Sequence, residues 1–202
     1  MGWTVFVWGR VPVILAVFFL ALRHERRRGV ACSPLPMLLT ALLGLLLTTG
    51  GDLATAKSNW VLGCLFFGLS HLCWFAFLIG RGRFSWGAAG VLTLLIAPLL
   101  AAVVLPKVGA GLRLPFAGYA LCTILSVSAA FGARRSPGGG FWLAGLLVLM
   151  VSDICIGLSM AKVRGAGPMI LPLYYVSLAL LLAALVRGIP APRPKRKVAR
   201  RV

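Results

Sequence analysis

The amino-acid sequence predicts an all-α integral membrane protein, a polytopic bundle of about seven transmembrane helices. Of its 202 residues, 60% are hydrophobic and only 12% are charged, whereas a typical soluble domain has about 25% charged residues. The apolar residues fall in runs of about 20, the length that an α-helix needs to cross the hydrocarbon core. Most basic residues lie between these runs. A water-soluble fold could not cover this much apolar surface.

Seven apolar runs are separated by short loops that are rich in Gly, Pro and basic residues. The predicted spans are 3–22, 35–55, 60–80, 87–106, 115–133, 140–161 and 168–187. Pro115 and Pro168 are predicted to open their helices, where the missing N–H of proline costs least. Pro12, Pro98 and Pro172 fall inside runs, which a bundle tolerates when neighbouring helices satisfy the backbone.

The chain divides into a helical bundle, residues 1–187, and a basic tail, residues 188–202. The tail is rich in Pro, Lys and Arg and cannot bury an apolar face, so it is predicted to be disordered. It is expected to anchor the chain by attraction to anionic lipid headgroups. The alternative is that it recruits another protein.

The basic residues predict the orientation of the chain. There are 21 Lys and Arg against three acids, a net charge of +18. Such a charge often indicates nucleic-acid binding. Basic residues in the loops between apolar runs are instead typical of a membrane protein, where they set the orientation of the helices. Seven crossings place fifteen of the basic residues on one side, which should be cytoplasmic. The N-terminus is then outside and the C-terminus in the cytoplasm. The compact loops favour a bacterial inner membrane.

Two of the three acids lie inside predicted spans: Asp52 near the end of the second and Asp153 in the sixth. A charged carboxylate in hydrocarbon costs at least about 2.5–3.5 kcal/mol, so such residues usually face the bundle interior or a water-filled cavity. Both spans run outward, which puts both acids in the outer half, where they could share one cavity. A carboxyl that keeps its proton near neutral pH is a candidate general acid. The alternative is that each makes a local helix–helix hydrogen bond.

Three other polar sites are candidates for supporting roles. His71 lies in the middle of the third span and is more typical of a packed hydrogen-bonding residue than of a catalyst. Tyr174 and Tyr175 lie near the start of the last span, either in an aromatic interface belt or bonded to an acid or the substrate. Arg10 either snorkels to the surface or contacts a lipid phosphate.

Several classes of function are disfavoured by missing motifs. The five cysteines and two histidines have no metal-ligand spacing and indicate neither a metal site nor a disulfide framework. The soluble catalytic and nucleotide-binding fingerprints are missing. The last span contains no lysine, which argues against a retinal Schiff base.

The order of four motifs resembles that of the YhhN-like lysoplasmalogenase family. These motifs are Asp52 after a glycine, His71 in a Leu-Ser-His-Leu-Cys-Trp segment, Ser152 before Asp153, and the tyrosine pair beginning with Tyr174. Arg10, close to Pro12, loosely matches the Lys-Pro of that family. The resemblance covers roughly residues 8–187. The family usually has eight helices, and the seven spans predicted here are expected to lack a counterpart of the first.

The resemblance implies hydrolysis of the vinyl-ether bond of lysoplasmalogens to a fatty aldehyde and glycerophospho-ethanolamine or glycerophospho-choline. It implies Asp52 and Asp153 as the acid–base pair, without metal or organic cofactor. His71 and Tyr174 would support the pair, and Ser152 and Arg10 would support it or bind substrate. The partners implied are a lysophospholipid and the bilayer, with no nucleic acid.

Two other functions remain open from the sequence. One is a small proton-coupled transporter whose buried acids bind and release protons, although no internal repeat of the kind common in transporters is evident. The other is a non-catalytic membrane scaffold that acts through its basic tail.

Overall fold

A computed structural model of the chain describes residues 35–187, with side chains from residue 39 onward, and the two isolated helical positions Pro12 and Ala16. Apart from those two positions, the first predicted span lies outside the described residues. The same holds for Arg10, for the basic loop 23–28 and for the tail 188–202.

Within residues 35–187 the chain is entirely helix and connecting turns, and six helices are long and apolar enough to cross a membrane. They are α1 (Leu35–Ala56), α2 (Trp60–Ile79), α3 (Trp86–Leu99), α4 (Ala110–Ala133), α5 (Gly139–Met160) and α6 (Ala166–Arg187), with a π-helical turn (Leu100–Val104) that extends α3. These six correspond to the second to seventh predicted spans. The protein is therefore a multi-pass helical membrane protein.

The predicted start of α4 was wrong. The helix begins at Ala110 rather than at Pro115, and Pro115 lies inside it. The sequence around Arg113 resembles a loop because it contains a charge and glycines. At the end of a bundle, however, an exposed arginine can reach water while its backbone stays helical, and Arg113 is exposed. Pro168 is the third residue of α6, in the first turn, where no N–H is required.

Pro98 precedes a change of helix type. The N–H of Leu105 bonds the carbonyl of Leu100 at 2.8 Å, five residues back, which is the π-helical pattern. In α3 itself only Leu92 and Ile96 are buried, and α3 packs mainly against α4, while the π turn also contacts α5. Most of α3 therefore faces outward.

Most of the core lies between the other five helices, where α1 packs on α2, α2 on α4, and α5 on both α4 and α6. Trp74 and Trp142 are fully buried at its centre, with ring centroids 6.4 Å apart. The Trp74 indole donates to the carbonyl of Ala41 at 3.3 Å. Gly44 permits this approach of α1 and α2, because a Cβ there would overlap the Trp74 indole.

The described basic loops gather at one end of the bundle. Arg81, after α2, donates to the carbonyl of Pro137, before α5, at 3.4 Å. Arg187, at the end of α6, lies 4.3 Å from the centre of a phenylalanine ring at the start of α5. At the other end Lys107 donates to the carbonyl of Ala161 at 3.4 Å. The six described helices thus alternate in direction.

Candidate active site

Asp52 lies in the last two turns of α1 and is held there by a tyrosine from α6. Its exposed fraction is only 5%. The hydroxyl of Tyr174 donates to Asp52 Oδ2 at 2.6 Å. The two residues are 122 positions apart, so this bond exists only because the bundle brings the last turns of α1 near the first half of α6.

Asp153 approaches the same region from α5. Its side chain is 13% exposed, and its Oδ2 is buried and has no hydrogen-bond partner within the described part of the chain. Tyr119, on α4, lines the same cavity as Asp153. Asp52 lines this cavity as well.

One cavity of about 420 Å³ contains both carboxyls. Asp52, Asp153, Tyr119 and Tyr174 line it, and most of the remaining wall is apolar or aromatic. The cavity lies toward the end of the bundle that carries Lys107, away from the cluster of basic loops. An apolar cavity with a few convergent polar groups is the usual form of a small-molecule site. Below, this space is called the acid cavity.

His71 sits beside Asp153 and away from the surface. It is 1% exposed, and its Nδ1 lies 2.6 Å from the hydroxyl of Ser126 on α4. Its Nε2 lies 3.9 Å from Asp153 Oδ2, which is too long for a hydrogen bond. The His71 ring also packs edge-on against Trp74 and Tyr119. His71 is thus held in position by α4 and points toward the acid.

The contacts of Ser126 bear on the tautomer of His71. The Ser126 hydroxyl also lies 3.0 Å from the carbonyl of Thr123, and a hydroxyl has a single proton to donate. When that proton goes to the carbonyl, His71 Nδ1 must donate to Ser126. A neutral His71 then presents the lone pair of Nε2 to Asp153.

Other residues singled out in the sequence lie elsewhere. Ser152 is fully buried, and its hydroxyl donates to the carbonyl of Ile170 at 3.0 Å. It links α5 to α6 and is not part of the lining of the acid cavity. Tyr175 packs beside Tyr174 with ring centroids 5.9 Å apart. Arg10 falls outside the described residues.

Sequence reasoning missed Tyr119. A signal was present, because Tyr119, Thr123 and Ser126 recur at the i, i+4, i+7 spacing of one helix face within the otherwise apolar α4. In the structure this polar stripe faces His71 and Asp153. Among residues 35–187, no three His, Cys, Asp or Glu side chains form a group suited to a metal ion.

Fold and site together define a multi-pass helical membrane protein with paired carboxyls in an intramembrane cavity. The chain belongs to the YhhN family, whose model matches residues 6–185. The match spans nearly the whole chain, which confirms the resemblance seen in the motifs. Neither a curated protein nor a solved structure matches the chain.

Proposed function

We propose that this protein is a membrane-embedded hydrolase that cleaves the vinyl-ether bond of lysoplasmalogens. The observation that carries the proposal is that Asp52 and Asp153, from different helices, line one cavity. Membership of the YhhN family is consistent with this reaction. The products are a fatty aldehyde and a glycerophospho-ethanolamine or glycerophospho-choline.

The two carboxyls suit different roles. Asp52 accepts a bond from the Tyr174 hydroxyl, which holds the carboxyl in one orientation. Asp153 has a buried oxygen without a hydrogen-bond partner in the described structure, which suits a group that carries a proton to substrate. We assign Asp153 as the general acid and Asp52 as the carboxylate.

The first step is proton transfer to carbon. Asp153 donates its proton to the β-carbon of the vinyl ether, and the enol-ether electrons form the new C–H bond. The α-carbon and the ether oxygen then share the positive charge of an oxocarbenium ion. The negative charges on Asp52 and Asp153 stabilise this cation, and such stabilisation is strong in a site that excludes bulk water.

Two further steps close the cycle. Water adds to the α-carbon while Asp52 takes its proton, which gives a hemiacetal. The hemiacetal then collapses: Asp153 takes the proton of its hydroxyl, and Asp52 protonates the departing glycerol oxygen. An aldehyde and an alcohol are released, and both carboxyls return to their starting states.

The neighbouring polar groups are suited to positioning this pair. Tyr174 orients Asp52 through its hydrogen bond. Tyr119 and His71 flank Asp153, and Ser126 fixes the His71 ring. Groups that hold a catalytic side chain in one geometry reduce the entropy that must be lost in the transition state.

We also propose an orientation for the acid cavity. The positive-inside rule places the described basic end of the bundle in the cytoplasm, so the acid cavity lies toward the outer face. A bacterial inner membrane with the N-terminus outside and the basic tail in the cytoplasm fits this arrangement. The tail then lies against anionic headgroups of the inner leaflet.

The test is aldehyde release from 1-alkenyl lysophosphatidylethanolamine by the purified full-length protein in detergent. Wild type is expected to release aldehyde, and Asp52→Asn and Asp153→Asn are each expected to lower the rate by roughly 10²- to 10⁴-fold. In D₂O, aldehyde trapped as it forms should carry one deuterium on the carbon next to the carbonyl.

Tyr175→Phe serves as the control for handling and folding, and thermal unfolding of each variant checks that it is folded. Absence of aldehyde from folded wild type would reject the hydrolase. A proton flux across liposomes that both Asp variants abolish would then favour the transporter.

A further inference from the structure

A second, apolar groove opens beside the acid cavity. It lies between α3 with its π turn, α4 and α5, and most of its lining is aliphatic. The members used below are Leu99, Val104, Ala120 and Ile154. This space is called the chain groove.

The chain groove and the acid cavity meet at three residues. Phe116, Tyr119 and Asp153 line both spaces. Asp153 therefore stands at the border between a cavity that contains the polar groups and a groove that is almost entirely apolar.

We propose that the chain groove binds the first part of the hydrocarbon chain of a single-chain lipid whose headgroup occupies the acid cavity. The inference rests on the proposed function and names the substrate subsite for it. In a 1-alkenyl lysolipid the reactive double bond joins the polar glycerol to the apolar chain. That bond is placed at Asp153 when the headgroup lies on one side of the carboxyl and the chain on the other.

The packing of α3 explains how a chain reaches the groove. Most of α3 faces outward, and Leu94 and Leu95 are 76% and 65% exposed. The volume of the groove is only about 60 Å³, too small for a whole fatty chain. The chain therefore continues past α3 into the bilayer, where its methylenes stay in an apolar environment.

The π turn shapes this groove. Val104 is buried at its end and faces Gly157 on α5, where a Cβ would lie 3.2 Å from a Val104 methyl carbon. Both residues line the groove. The π turn and the glycine thus set the width of the groove at the level of Asp153.

The first experiment compares two substrates with the same headgroup, one with a long alkenyl chain and one whose alkenyl group ends after three carbons. Ala120→Leu adds bulk inside the groove, and Leu99→Trp adds bulk from α3. Each is expected to lower kcat/KM for the long substrate by about tenfold or more relative to the short one. Ala97→Leu, on the exposed face of α3, is the matched control and should leave this ratio unchanged.

The second experiment does not depend on turnover. A lysophosphatidylethanolamine with an alkyl ether, which has no vinyl bond to cleave, carries a diazirine near the ether end of its chain. Photolysis with wild type should label peptides of α3, α4 or α5 that line the groove, and excess unlabelled lysolipid should suppress the label. Ala120→Leu should reduce it several-fold, whereas Ala97→Leu should not.

The outcomes separate the two proposals. Both groove variants could release aldehyde with the wild-type ratio of kcat/KM for the long substrate to kcat/KM for the short one. That result would overturn the chain groove and leave the hydrolase intact. The groove could be labelled in a way that unlabelled lysolipid suppresses while wild type releases no aldehyde. That result would support the lipid subsite and reject the hydrolase. Label spread evenly over the outer helix faces and insensitive to competition would overturn the chain groove whatever the activity.

Discussion

At the scale of single residues, the hydrogen bond from Tyr174 to Asp52 has the clearest consequence. Tyr174→Phe removes the hydroxyl that lies 2.6 Å from Asp52 Oδ2 and leaves a buried carboxylate with one donor fewer. A hydrogen bond to a charged group contributes about 1.5–3 kcal/mol, so kcat is expected to fall roughly 10- to 100-fold. Tyr175→Phe, one position along α6 at a residue that does not line the acid cavity, should retain activity. Steady-state aldehyde release gives kcat and KM for both, and equal rates in the two variants would contradict the positioning role.

Ser126 provides a second prediction at this scale. Ser126→Ala leaves Nδ1 of the buried His71 without its partner at 2.6 Å, and an unsatisfied buried polar group costs about 1–3 kcal/mol. Thermal unfolding in detergent should therefore show a clear loss of stability.

Ser128→Ala is the matched control for Ser126→Ala. Ser128 is equally buried on α4, but its hydroxyl bonds only the carbonyl of Ile124 in its own helix, and that carbonyl keeps its place in the helix after the substitution. The loss should be below about 1 kcal/mol. Equal destabilisation by the two variants would argue against a special role of the bond to His71.

At the scale of helices, the end of α4 depends on a glycine. A Cβ at Gly132 would overlap the backbone carbonyl of Arg83, in the loop between α2 and α3. Because backbone cannot move aside as a flexible side chain can, Gly132→Ala is expected to destabilise the protein by about 1–3 kcal/mol or to displace this loop. Thermal unfolding in detergent measures the loss.

Gly118 offers the control within the same helix. It is exposed, and nothing lies within 4 Å of a Cβ built there. Gly118→Ala should be neutral or stabilise α4 by about 0.5–1 kcal/mol. If the two substitutions had equal effects, the close approach of α4 to the α2–α3 loop would not matter for stability.

The sequence predicted the helices better than it predicted their ends. Four of the six described helices agree with the predicted spans to within two residues at each end, and α3 does so when its π turn is included, because the hydrophobicity of a span is a sum over about 20 residues. The start of α4 was missed because Arg113 and its neighbouring glycines resemble a loop. The π turn was not foreseen either. Pro98 marked a possible irregularity in the helix but could not specify which kind.

At the scale of the whole molecule, the distribution of charge predicts sidedness. Arg135 belongs to the basic end of the bundle, and Arg164 lies in the loop at the opposite end. Both side chains are exposed. In a background without native cysteines, Arg164→Cys should react with a membrane-impermeant maleimide applied to intact spheroplasts. Arg135→Cys should react only after lysis, as the positive-inside rule requires.

The reverse pattern of labelling would invert the proposed topology and place the acid cavity on the cytoplasmic side. Labelling of both positions in intact spheroplasts would indicate mixed insertion. Each result is read beside a cytoplasmic marker protein, which must stay unlabelled until lysis.

The sequence alone determined the class of the protein, the approximate positions of six helices and the identity of the two intramembrane acids. Runs of apolar residues and isolated charges are local properties that a single chain displays. The tertiary structure decided which groups meet: Tyr174 with Asp52, and Tyr119 and His71 with Asp153. The helices are apolar around most of their circumference, so the sequence does not indicate which face of each points inward. The rotation of each helix against its neighbours decides which face points inward. It therefore also decides that the two acids share one cavity.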